Sequence, residues 1–325
     1  MSFEGKKVLI TGGAGFIGSN LAIRLVAEGA MVTVLDSMLP DYGGNLFNLA
    51  PVSDGIHVNF SDMRDGHSLS YLVRGQDYIF NIAGQVSHRD SMTEPLMDME
   101  INVKAQLTML EACRLFNPDV VIVYTSTRQL YGRPAYLPVD ENHPVNPPDV
   151  NGINKLAGER YHTLYAKVHG LKTVSLRLTN TYGPRQLIKN ARQGFIGWFM
   201  NRAVTGNKIE LFGTGEQVRD FNHVDDVVEA LIRASLCDAC FGEFYNLSGE
   251  KASLRTVAET LIRLTGKSSL EVTPFPPELK KIDIGDFYGS SQKFKSTTGW
   301  EPSISLEQGL RSTVDYYTRY KEHYL

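Results

Sequence analysis

The segment Thr11-Gly12-Gly13-Ala14-Gly15-Phe16-Ile17-Gly18 constrains this chain more than any other. An apolar run at residues 8–11 leads into it. Residues 16–28 follow it, with Ile17, Leu21, Leu25 and Val26 on one helical face and Gly29 as a stop. A buried strand must therefore turn directly into a helix. Gly12 permits a turn that a Cβ would obstruct, the next glycine lets backbone N–H groups approach an anion, and Gly18 lets helix and strand pack closely. The helix N-terminus adds about half a positive charge facing that anion. A second apolar strand at 31–35 ends at Asp36, where a carboxylate can accept hydrogen bonds from ribose hydroxyls and repel a further phosphate. Together these residues predict a dinucleotide cradle that takes NAD in preference to NADP.

Residues 78–83, 120–125 and 173–178 also read as buried strands, and 98–116 and 151–169 as amphipathic helices. Strands alternating with helices predict an α/β fold, a doubly wound (Rossmann) parallel sheet covered on both faces. Residues 133–149 hold five prolines and must be mostly loop. Beyond Arg177 the alternation lapses, and 208–215 and 271–289 read as short strands and binding loops. The expected organisation is a cofactor domain at 1–178, joined by about 223–248. A smaller C-terminal α/β lobe, for substrate, would comprise 179–222 and 249–325.

Length and charge narrow the function. A chain of 325 residues suits about two domains and a sizeable core. Lys plus Arg is 33 and Asp plus Glu 36, so the net charge of −3 disfavours a nucleic-acid binder. The composition is 42% hydrophobic and 21% charged, ordinary for a globular protein. No apolar run approaches the roughly 18 residues of a membrane span. Residues 1–7 run straight into a strand with no signal peptide, and Cys113, Cys237 and Cys240 are too few for a disulfide framework. A cytoplasmic location is expected, with Cys237 and Cys240 read as buried thiols near a helix end.

The three-and-three glycine spacing (Gly12, Gly15, Gly18) resembles that of extended short-chain dehydrogenase/reductases, in the nucleotide-sugar epimerase and dehydratase group. Other segments resemble the same family in the same order. Asp62-Met63 matches its adenine-contacting pair, and Asn81-Ile82-Ala83-Gly84-Gln85-Val86-Ser87 the turn after its fourth strand. Asn102 matches a helix asparagine, and Thr125-Ser126-Thr127 the end of strand five. Thr179-Asn180-Thr181-Tyr182-Gly183-Pro184-Arg185-Gln186 matches the loop into the sugar-nucleotide lobe. Arg219 matches a phosphate-binding arginine, and Gly299-Trp300-Glu301-Pro302 a C-terminal turn. The resemblance implies that Gly12, Gly15, Phe16, Ile17, Gly18, Asp36, Asp62, Met63, Ala83, Gln85 and Lys155 contact NAD. It assigns Thr127, Asn180, Arg185 and Arg219 to a nucleotide-diphosphate sugar (UDP-, CDP- or dTDP-linked). It also implies a homodimer formed through the helices around 102–116 and 151–169.

The chain departs from the family where chemistry is done. The family's proton transfer uses Tyr-x-x-x-Lys on one helix face, the lysine lowering the tyrosine pKa. Here the stretch is Asn151-Gly152-Ile153-Asn154-Lys155. An amide has no accessible pKa, so Asn151 in the tyrosine position cannot be a general base. A second Tyr-x-x-x-Lys, Tyr317 and Lys321, lies on a terminal helix and reads as packing. The Asp-Glu pair that family dehydratases carry after the strand-five threonine is Arg128-Gln129, which disfavours dehydration. A diphosphate-clamping arginine is replaced by Asp283, with Lys280 or Lys281 as substitutes. His88 is a candidate replacement acid/base, since imidazole titrates near neutrality, and Arg128 could pair with a substrate carboxylate or phosphate. No histidine cluster has metal-ligand spacing. The reading that follows is an NAD-dependent nucleotide-sugar epimerase with Thr127, Lys155 and Asn151 at the reacting sugar. The alternatives are a non-catalytic NAD/nucleotide-sugar-binding protein, or a decarboxylase or ketoreductase of the same family.

Overall fold

The computed structural model describes residues 3–280 and 283–325. Its centre is a seven-stranded parallel sheet in the order β3-β2-β1-β4-β5-β6-β10. The strands are β1 (Lys7–Thr11), β2 (Met31–Leu35), β3 (Ile56–Asn59), β4 (Tyr78–Asn81), β5 (Val121–Thr127), β6 (Lys172–Leu178) and β10 (Phe244–Leu247). The near-continuous burial of β1, β5 and β6 is what a parallel sheet with helices on both faces requires. Those helices are α1 (Phe16–Ala27), α2 (Gly66–Leu72), α3 (His88–Thr93), α4 (Pro95–Met99), α5 (Ala105–Phe116), α6 (Val150–His169) and, later in the chain, α8 (Val224–Ser235). The helical run expected at 98–116 begins earlier, at Pro95, a residue suited to a first helical turn. A π turn, Glu100–Lys104, joins α4 to α5.

The rest of the chain builds around α7 (Phe195–Thr205), α9 (Leu254–Thr265) and α12 (Leu306–Tyr320). β7 (Asn180–Tyr182), β9 (Val218–His223) and β11 (Glu250–Ser253) form a three-stranded sheet, and β8 (Ile209–Phe212) pairs in parallel with β12 (Leu270–Thr273). Phe199, Met200, Leu211, Val257, Leu261, Leu310 and Tyr317 are buried together there. Tyr317 donates its hydroxyl to the Gln186 carbonyl at 2.7 Å, as a packing residue would. α12 starts with a capping box between Ser305 and Gln308. Two short helices, α10 (Pro277–Lys280) and α11 (Gln292–Thr298), complete the set.

Polar ties hold the two parts together. Asp226, in the first turn of α8, accepts from Ser303 N, Ser303 Oγ and Ile304 N, while the Trp300 indole donates to its carbonyl. Within the first part, Arg177 on β6 and Glu159 on α6 form a fully buried two-point ion pair at 2.9 and 2.6 Å. Cys113 and Cys240 are buried free thiols, each pushed up to about 12 by burial. Cys237 is only half-buried, because α8 ends at Ser235 and a separate 3₁₀ turn, Asp238–Cys240, follows. Among the described residues no helix is long and apolar enough to cross a membrane, and no cluster could hold a metal ion.

Candidate active site

One cleft of about 320 Å³ opens along the carboxyl ends of β1, β4 and β5 and is closed by the loops around 36–44 and 186–196. β1 and β4 are neighbours although α1 and α2 separate them in sequence, so the cleft lies where the strand order reverses, the usual ligand crevice of such sheets.

At one end, Gly12 has φ +67° and its missing Cβ would lie 2.9 Å from Ala83 Cα, so β1 and β4 approach there only without a side chain. A Cβ on Gly18 would lie 2.3 Å from the Gly12 carbonyl oxygen. α1 has no side-chain cap and no acidic residue in its first turn, which leaves its N–H groups for an anion. Asp36 accepts from Ala14 N at 3.0 Å and Met38 N at 2.9 Å. Burial raises its carboxyl pKa despite those two donors. Asp62 is gripped by Arg64 through two bonds, which lowers its pKa, and Met63 is buried beside it on the cleft wall.

At the other end, α6 carries Asn151 and Lys155 one turn apart. The Lys155 ammonium donates to the Thr125 carbonyl at 3.2 Å, and burial pushes it down to about 8 against the pull of Asp98. Asn151 is fixed from behind. Its Nδ2 donates to the Gln85 carbonyl (2.8 Å), to Gln85 Oε1 (3.2 Å) and to Asp98 Oδ2 (3.0 Å). Asn102, in the π turn, and Asn154 donate to Asp98 Oδ1 at 3.1 and 2.8 Å. A buried carboxylate thus receives three amides, that of Asn151 among them. Thr127 caps the short 3₁₀ turn Arg128–Tyr131 by accepting from Gln129 N at 3.2 Å, and its hydroxyl proton remains to be donated.

Next to Asn151, His88 at the start of α3 lines the cleft, with Nδ1 at an ion-pair distance of 3.0 Å from Asp149 Oδ2 but not aligned for a hydrogen bond. Asp149 caps α6 by accepting from Gly152 N at 2.7 Å and also accepts from Gln129 Nε2 at 2.8 Å. Burial alone would raise its carboxyl; His88 and these donors outweigh burial and hold it below its ordinary value.

Of the residues expected to meet ligands, Gly12, Gly15, Phe16, Ile17, Asp36, Asp62, Met63, Ala83, Thr127, Asn151, Lys155 and Asn180 line this cleft. Four others lie off its wall. Gly18 packs α1 on β1, and Gln85 stands behind Asn151. Arg185 donates to Asn20 Oδ1 at 2.8 Å and lies over the Tyr316 ring. Arg219 donates to the Val218 and Gly285 carbonyls and pairs with Asp283 at 3.6 Å, so the acidic residue at the clamp position neutralises the arginine. Lys281 lies outside the described residues. Tyr42, Gln193 and Phe195 line the cleft without having been anticipated. Tyr42 and Gln193 sit on two loops with no motif and Phe195 opens α7; the loops are joined where Gln193 Nε2 donates to the Tyr42 carbonyl and Lys189 pairs with Asp41.

The NAD dependent epimerase/dehydratase family model matches residues 8–247. The chain belongs to this family. It is 31% identical to the UDP-glucose 4-epimerase of Mycolicibacterium smegmatis, over 96% of this chain and 98% of that protein. It is 32% identical to the crystal structure of the Thermus thermophilus UDP-glucose 4-epimerase in complex with NAD, with a TM-score of 0.85 over 96% of this chain and 98% of that one. A Thermotoga maritima UDP-glucose 4-epimerase structure with UDP-glucose superposes with a TM-score of 0.88 at 30% identity, covering 97% and 99% of the two chains. Members of the epimerase/dehydratase family are NAD-dependent enzymes, and NAD is the cofactor here. The cleft fits it. The glycine turn and open α1 N-terminus suit a pyrophosphate, Asp36 suits a ribose diol, and Lys155 is a buried cation with one protein acceptor at the far end.

Proposed function

We propose that the protein is an NAD-dependent nucleotide-sugar epimerase in which His88, held by Asp149, moves the proton that a tyrosine would otherwise move. The observation that carries this reading is one cleft holding the glycine turn, Thr127, Lys155 and the His88–Asp149 pair together. NAD bound there supplies a reversible hydride acceptor for a sugar carbon that bears a hydroxyl. Thr127 donates to and orients that oxygen. Lys155 holds the nicotinamide ribose through its ammonium. Asp149 lies 3.0 Å from Nδ1 of His88 and favours a proton there, which leaves Nε2 to take the hydroxyl proton and return it. Asn151 transfers no proton; its amide carbonyl is available to a sugar hydroxyl. Asn180, on the cleft wall, serves the nucleotide side, and residues 179–222 and 249–325 act as the sugar-nucleotide lobe.

The test is an assay of purified protein with bound NAD against UDP-, CDP- and dTDP-linked sugars. The expected result is interconversion of one of them with its epimer and no net consumption of NAD. Conversion of none would overturn the reading. The alternative of a binding protein without turnover has one observation in its favour, the Asn151 amide nitrogen turned into the wall. It predicts tight NAD and sugar-nucleotide binding with no product in the same assay.

We also infer a homodimer. Leu96 on α4 and Ile153, Leu164 and Val168 along one stripe of α6 are exposed at 72%, 54%, 49% and 63%. Such apolar stripes on adjacent helices suit a partner copy. Sedimentation should show a species of roughly twice 36.2 kDa, and a species of 36.2 kDa alone would refute it.

A further inference from the structure

Arg128 is a cation in the cleft that the protein leaves unmatched. Its Nη1 is buried and has no hydrogen-bond partner, and no carboxylate among the described residues lies within ion-pair distance of it. Its guanidinium lies 4.8 Å from the centroid of the Phe287 ring. The nearby charges have other partners or lie beyond ion-pair distance. Asp149 receives Gly152 N and Gln129 Nε2 beside His88, and Arg219 pairs with Asp283. Asp220 receives Ser248 Oγ and Gly289 N on Oδ2 and keeps a buried Oδ1 without a partner. Burial and the neighbouring Arg219 push the Arg128 guanidinium down to about 10, the direction of a cation short of anions. Ser126 Oγ and Thr181 Oγ1 on the same cleft are also buried without hydrogen-bond partners, as is His88 Nδ1. A buried cation costs free energy unless an anion compensates it, and a planar fork suits a carboxylate held at two points.

Position assigns the anion. Arg128 follows Thr127 at the end of β5, two strands away from the β1 glycine turn, at the sugar end of the cleft. We propose that Arg128, with Ser126 and Thr181, receives a carboxylate carried by the sugar ring, so that the substrate is a nucleotide-linked sugar acid of the uronate type. This rests on the nucleotide-sugar reading above. The same fork could instead meet the phosphate that joins sugar to nucleotide.

Calorimetric titration of the full chain separates these cases. UDP-, CDP- and dTDP-glucose would be compared with the matching glucuronates and with UDP, CDP and dTDP, for wild type, Arg128→Gln and Arg128→Lys. NADH binding serves as the folding control for each variant. The expected result is a glucuronate that binds wild type at least about 10-fold more tightly than its glucose counterpart. Arg128→Gln should lose about 30-fold or more of the glucuronate affinity alone, and Arg128→Lys less. Equal weakening of glucose, glucuronate and bare diphosphate would identify a phosphate contact and overturn the carboxylate assignment. So would an Arg128→Gln variant with unchanged affinities. If wild type binds NADH and a glucose nucleotide with no preference for the glucuronate, this inference alone fails. If it binds NADH and no sugar nucleotide, the underlying reading fails with it.

Discussion

Asn151 Nδ2 and Asp98 Oδ2 lie 3.0 Å apart in the buried wall behind the cleft, with the Gln85 carbonyl 2.8 Å from the same nitrogen. The amide that stands at the family's tyrosine position is thus part of a structural network. Asn151→Tyr should not raise turnover. It should lower stability by about 2–5 kcal/mol, combining acceptors left without donors and overpacking. Urea denaturation and the epimerase assay check both parts; a tyrosine variant that is as stable as wild type and faster would show that the phenol reaches the cleft.

His88 and Asp149 should separate chemistry from binding. His88→Gln should lower kcat by about 10²–10⁴-fold with little change in KM, and imidazole in the buffer should partly rescue His88→Ala. Asp149→Asn keeps a competent cap for α6 while removing the charge beside His88, so kcat should fall with helix content intact. Circular dichroism alongside kinetics is the measurement. Equal losses in kcat and thermal stability would point to a purely structural role for the pair.

Gly18→Ala tests the cradle. The new Cβ would sit 2.3 Å from a backbone oxygen that cannot swing aside. Overpacking there should cost about 1–3 kcal/mol or more and weaken NADH binding, read by fluorescence titration. A variant with normal affinity would mean that β1 and α1 tolerate separation.

Lys155 sets a pH dependence. Its pKa of about 8 in the fold is below the ordinary 10.5. Between those values the unfolded chain binds more protons than the native one, so this lysine makes stability rise with pH across that window. The penalty for burying the ammonium is fully present below pH 8. Wild type should therefore gain stability relative to Lys155→Met between pH 8 and 10, while its NAD affinity declines as the ammonium is lost. Paired urea titrations at several pH values check the first; NADH titrations check the second.

The parallel sheet, the glycine turn, the Asp36 terminus of β2 and the Asn151–Lys155 spacing were legible because each is a pattern within one short segment. So was α12, from its periodicity. The helix expected at 98–116 starts three residues earlier, at Pro95, and nothing local announces the π turn that aims Asn102 at Asp98. Gln85 lies within a segment that resembles a cofactor turn, yet its side chain is claimed by Asn151, 66 residues away. Arg185 and Arg219 were assigned to the nucleotide sugar from the motifs they sit in, and their guanidiniums are held by Asn20 and by Asp283 and carbonyls.

Hydrophobic periodicity, glycine placement and one carboxylate suffice for the α/β fold and a dinucleotide cradle, because strand, turn and helix geometry act over neighbouring residues. Partnership among buried polar groups does not follow from neighbours. Asp98 collects three asparagines, His88 meets Asp149, and Arg128 is left without an anion only because distant segments converge at the strand ends. In that water-poor wall each donor must find whichever acceptor packing brings near. Which polar groups stay free for a ligand is therefore decided by the tertiary structure.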